Sequence, residues 1–169
     1  MTLQDLGSLG ELIAAIATVA TLGYLAVQIR QNTRSVRASS RLAVTQTYNE
    51  HSRLRLDPAV NGAYLRGLRA YPELPLDERG VFANLLSDHW VFFQGVFALH
   101  EEGQLDSRTY EDYLTWFACQ VATPGGAAFW REVTPVATSA AAAAVNARLE
   151  RGDLADILRF PGNRLDGDG

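Results

Sequence analysis

Lysine is absent from this chain of 169 residues: all 15 of its basic residues are arginine. Set beside the richness in alanine, that substitution reads as a habit of composition and carries no function. Cysteine occurs once, at Cys119, which excludes an intrachain disulfide and suits a reducing compartment. Charge is missing altogether from Leu12 to Val27, and neither glycine nor proline occurs between Gly23 and Pro58. No stretch alternates apolar and polar residues with period two, so no sheet is expected. Internal repeats are also lacking.

The uncharged run ends abruptly in arginine. Arg30, Arg34, Arg37 and Arg41 follow it at spacings of four, three and four, within about 60° of one another on a helix. Counting Gln28 and Ile29, the run has 18 residues, or ~27 Å of helix against a hydrocarbon core of ~30 Å. A membrane helix with its basic end in the cytoplasm has this pattern. A secretory signal would carry its positive charge ahead of the apolar stretch, whereas Asp5 and Glu11 stand there. The remaining alternative is a core helix of a soluble domain. Orientation follows from the arginines: N-terminus outside, the bulk of the chain in the cytoplasm.

Within the apolar run, Gly10, Ala14, Ala17, Thr18 and Thr21 share one face. Small residues let helix backbones approach closely in lipid, so this face is expected to self-associate or to dock on a partner helix. Without glycine or proline to stop it, the helix is expected to continue as a stalk from about Leu12 to Leu56, roughly 45 residues and ~68 Å. Arg30, Arg34, Arg37 and Arg41 then contact lipid headgroups or an acidic partner. Arg41 lies ~16 Å beyond Arg30, so the outer arginines are expected to pair with the body of the protein. That body is acidic, with 11 Arg against 17 Asp and Glu from residue 42 onward. An acidic body argues against nucleic-acid binding.

Helix signals are plain after the stalk. Asp57-Pro58 reads as an N-cap with proline at the first helical position. That helix runs to about Tyr71 and is closed by Pro72 and Pro75. The next spans Asp77–Glu102 with Gly103 as its left-handed stop. Another starts at Asp106 or Ser107 and reaches about Thr123. Pro124-Gly125-Gly126 reads as a tight turn, followed by helices over Ala127–Val133 and Val136–Arg151, and a short turn to Phe160. The expected fold is all-α: a transmembrane helix (1–29), a basic stalk (30–57), a cytoplasmic bundle of about five helices (58–160) and a tail (161–169).

Chemistry is harder to find. Of three histidines, His89 and His100 share a helix face but stand three turns apart, with no His-x-x-x-His or Glu-x-x-His spacing, so no metal site is indicated. Asp88-His89 point ~100° apart on a helix, and His89 reads as a core residue. Cys119 reads as packing. Pro124-Gly125-Gly126 lacks the Gly-Lys-Ser/Thr of a phosphate loop. No catalytic residue and no cofactor is assigned. The aromatics Trp90, Phe93, Phe97, Trp116 and Trp130 are expected in the core, where some of them could line an apolar pocket.

The sequence from Gly10 to Arg34, with Asp57-Pro58, Tyr64–Leu68, the aromatic run Trp90–Gln94 and Pro124–Trp130, resembles a widespread family of uncharacterised bacterial proteins. The resemblance covers nearly the whole chain and is most specific in its first 35 residues. It implies a membrane-anchored helical domain and transfers no catalytic residue. Three functions are expected from these features: a self-associating or partner-docked scaffold, a homo-oligomeric channel with Thr18 and Thr21 at its pore, and a tethered ligand-binding or sensory domain.

Overall fold

A computed structural model describes residues 3–134, 139–160 and 163. Six α-helices and two 3₁₀ turns account for its regular structure, and no strand occurs among the described residues. The helices are α1 (Leu3–Leu54), α2 (Pro58–Ala70), α3 (Leu76–Glu101), α4 (Ser107–Val121), α5 (Pro124–Val133) and α6 (Ala140–Glu150). The start expected for the last helix, at Val136, and nearly all of the expected tail lie outside the described residues.

The chain divides into two compact units, residues 1–39 and 40–169. The first is a single helical segment, the N-terminal part of α1. It begins at Leu3 rather than near Leu12, because nothing in Leu3–Gly10 stops a helix once the apolar run has nucleated it.

The second unit begins at Ser40, earlier than the boundary expected at residue 57. The reason is packing: Val44 is buried, and the Tyr48 ring lies 5.3 Å from Trp116 and 5.8 Å from Tyr113. The last turns of α1 therefore belong to the bundle's core.

Side-chain caps set the remaining boundaries. Asp57 accepts from the Ala59 and Val60 amides, Asp106 from Thr109, Thr123 from Gly126 and Ser139 from Ala142. Each satisfies backbone N–H groups that a helix start otherwise leaves orphaned. Gly103 adopts φ 69° just beyond α3, the left-handed conformation that glycine adopts without strain.

The reading of Pro124-Gly125-Gly126 as a turn is corrected here: the three residues form the first turn of α5. The glycines serve close packing. A Cβ on Gly125 would overlap the carbonyl oxygen of Gly67 in α2, and one on Gly126 would overlap that of Gln120. On α2 itself, a Cβ on Gly67 would run into the Phe82 ring. Helices α2, α3 and α5 thus meet through a seam only glycine can fill.

The core is aromatic. Phe93 and Phe117 stack with ring centroids 5.7 Å apart and planes 4° apart, and Trp90 meets Trp130 edge-on at 4.9 Å. Offset and edge-on pairs of this kind add roughly 0.5–1.5 kcal/mol each beyond area burial.

Candidate functional site

Two regions carry functional information. The first is the apolar stretch of α1. Among the described residues, one helix is long and apolar enough to cross a membrane, Gly10–Leu54, and none of its most apolar 18-residue window is buried. Val19 is 70% exposed and Leu22 61%. A core helix of a soluble domain would have these side chains covered, and monomeric soluble proteins seldom show a contiguous apolar surface beyond a few hundred Å². On the small-residue face, no described residue comes within 4 Å of where a Cβ on Gly10 would lie. The Thr18 and Thr21 hydroxyls donate back to the carbonyls of Ala14 and Ala17, at 2.9 and 2.8 Å. Their protons are consumed within the helix, which leaves this face a smooth surface of small groups.

Arg30, Arg34 and Arg37 lie in the first unit and are exposed. Arg41 lies in the second, where its Nη2 donates to Asp106 Oδ2 at 2.6 Å. Of the expected stripe, the outermost arginine is thus tied to an acid of the body.

The second region lies in the bundle, and it is not the aromatic pocket the sequence suggested. Trp90, Phe93 and Trp130 are buried against one another and Phe117, and they are the core itself rather than a lining. Phe97 is half-buried beside Tyr110. Trp116, by contrast, borders a cavity.

That cavity, about 380 Å³, is lined by Arg55, Tyr64, Asp112, Trp116, Gln120 and Phe160 among others. Its inner wall is a buried polar cluster. Gln120 donates from Nε2 to the Trp116 carbonyl at 3.2 Å, which fixes which way its amide faces. Gln120 Oε1 then accepts from the Tyr64 hydroxyl at 2.8 Å and lies 2.7 Å from His89 Nδ1. A carbonyl oxygen can only accept, so His89 carries its proton on Nδ1 and its lone pair on Nε2. Burial pushes the His89 pKa down to about 4, against a smaller opposing effect of the Gln120 bond, so the ring is neutral near pH 7. Burial raises the Tyr64 phenol above its ordinary range, against the lowering effect of Arg55. His89 is therefore a core residue, as the sequence suggests, and its hydrogen-bond partner lies 31 positions away in the chain.

Comparison with protein-family models, with curated proteins and with solved structures returned no match.

Arg55 completes the cavity. Its guanidinium sits 4.4 Å above the Tyr64 ring, and its Nε donates to Asn61 Oδ1 at 3.4 Å. Neither Arg55 nor Asp112 forms an ion pair among the described residues. A wider groove of about 530 Å³ runs between the end of α1 and α3, with Val44, Phe92, Val96 and Leu99 on its walls. His51 borders it, and among the described residues the buried His51 Nδ1 has no hydrogen-bond partner. His100 stacks on Tyr110 at 4.2 Å, remote in role from His89. Among the described residues no three His, Cys, Asp or Glu side chains gather as metal ligands. Cys119 is buried, and burial pushes its thiol up, away from the thiolate a nucleophile needs.

Sequence reasoning missed Arg55, Tyr64 and Gln120. They come from α2, α4 and the turn that joins α1 to α2, and no local spacing relates them.

Proposed function

We propose that the protein is a single-pass membrane protein of the bacterial inner membrane, with its N-terminus outside and its helical bundle in the cytoplasm, acting as a self-associating or partner-docked scaffold or accessory subunit. The observation that carries this reading is the exposure of the whole apolar stretch of α1, from Leu12 to Val27. Lipid covers such a surface at no cost, whereas water does not. The arginines that follow it favour a cytoplasmic location for the bundle. The face of Gly10, Ala14, Ala17, Thr18 and Thr21 supports helix association, since its threonine protons are already used and small side chains permit close approach.

The test is the mass of the full-length protein extracted in mild detergent, beside a truncated chain beginning at Arg30. A defined multimer, or a stoichiometric partner, that is lost on truncation supports the reading. A monomer with no co-purifying protein overturns the scaffold role, and a full-length protein that stays soluble without detergent overturns the anchor.

A second reading, a membrane-tethered ligand-binding domain, is favoured by the cavity at Arg55, Tyr64 and Gln120, whose walls hold charged groups left without ion-pair partners among the described residues.

A further inference from the structure

The cavity's walls specify more than volume. Binding sites for small molecules span roughly 300–1,000 Å³, so 380 Å³ suits one compact molecule. Trp116, Ile157 and Phe160 supply apolar and aromatic surface for its body. Gln120 adds a donor: its Nε2 has two N–H groups and spends one on the Trp116 carbonyl.

The charges decide the class. Arg55 is held in place by the Tyr64 ring and Asn61, yet among the described residues no carboxylate reaches it, and a guanidinium fork is the protein's best partner for one. Asp112, on the same cavity, likewise has no described cation within ion-pair distance, Arg55 included. An organic anion would satisfy Arg55 and meet repulsion from Asp112. A cation would do the reverse. Only a ligand with both charges complements both walls.

Building on the ligand-binding reading, we infer that this cavity binds a free α-amino acid with an apolar or aromatic side chain. The ligand carboxylate meets Arg55 and the free Gln120 N–H, its ammonium meets Asp112, and its side chain lies against Trp116 and Phe160.

The test uses the full-length protein in mild detergent, titrated calorimetrically with L-leucine, L-phenylalanine and L-tryptophan. Beside them stand 3-phenylpropanoate, which lacks the ammonium, phenethylamine, which lacks the carboxylate, and uncharged 3-phenylpropanamide. At least one amino acid is expected to bind saturably, about tenfold or more tighter than any of the other three probes. Arg55→Gln should abolish its advantage over phenethylamine, and Asp112→Asn its advantage over 3-phenylpropanoate. Asp112 is exposed, so that variant retains the fold even if Arg55→Gln disturbs Tyr64. If the singly charged or uncharged probes bind as well as the amino acids, the ligand class is overturned while the ligand-binding reading stands. If no probe binds, both fall.

Discussion

Arg41 Nη2 lies 2.6 Å from Asp106 Oδ2, joining the last turns of α1 to the residue that caps α4. Asp106 holds three donors at once, for it also accepts from the Thr109 amide at 3.1 Å and the Thr109 hydroxyl at 2.8 Å. The Thr109 amide, then Arg41, hold its carboxyl well below the usual carboxylate range.

The two partners should therefore differ when removed. The ion pair is largely exposed, 60% at Arg41 and 34% at Asp106, so Arg41→Ala should cost no more than ~0–1 kcal/mol. Asp106→Ala loses the helix cap as well and should cost about 1 kcal/mol more. Denaturant titration of both variants measures the difference. Because the folded pKa of Asp106 is depressed, its contribution is complete above the unfolded value near 4 and is lost as pH falls below it.

His89 gives the bundle an acid-sensitive stability. Its folded pKa of about 4 lies below the ordinary 6.5, so between those values the unfolded chain takes up a proton that the folded one refuses. Stability should be unaffected by this group above pH 6.5 and should fall by on the order of 3 kcal/mol as pH drops to about 4. Below that the folded ring is protonated too and the slope vanishes. His89→Gln should show a visibly flatter loss between pH 6.5 and 4 than the parent, read as unfolding midpoints across that range.

Gln120 is the shared acceptor of two buried donors, and removing it strands both. Gln120→Met keeps the volume but leaves the Tyr64 hydroxyl and His89 Nδ1–H unpaired, at roughly 1–3 kcal/mol for each. Tyr64→Phe removes one donor with its proton and should cost less than half as much. A denaturant series across the two variants checks the order.

Glycines of the seam and glycines of the surface should respond oppositely to a methyl group. Gly125→Ala forces α5 off α2, because the new Cβ coincides with the Gly67 carbonyl, and should destabilise by about 3 kcal/mol or more. Gly95→Ala lies mid-helix in α3 with no described residue within 4 Å of its Cβ and should stabilise by roughly 0.5–1 kcal/mol. Thermal melts of the pair distinguish them directly.

Local chemistry made much of the architecture legible. Asp57-Pro58, Asp106 and Gly103 act within one helical turn, and all three mark ends where the chain places them. Pro124-Gly125-Gly126 misleads because propensity argues for a break, while the contact that demands glycine comes from Gly67, 58 positions earlier. Tertiary packing overrides propensity there. The cavity was illegible for the same reason. Tyr64 and Gln120 are 56 residues apart, and nothing in either neighbourhood signals that an amide oxygen will meet a phenol. Of the five aromatics expected in the core, Trp90, Phe93 and Trp130 are buried there while Phe97 and Trp116 are only partly covered, and composition does not say which one borders a void.

The protein's three tryptophans divide the labour of emitting light. Trp90 and Trp130 are sealed in the core, and Trp116 stands at the cavity wall, 4.8 Å from the His89 ring. Ultraviolet emission from the intact chain thus contains a reporter of the cavity and two internal standards. A spectral change confined to the Trp116 component registers an occupant or a protonated His89, and a red shift of all three registers loss of the core. Occupancy and unfolding can be told apart in one detergent-solubilised sample without attaching a dye.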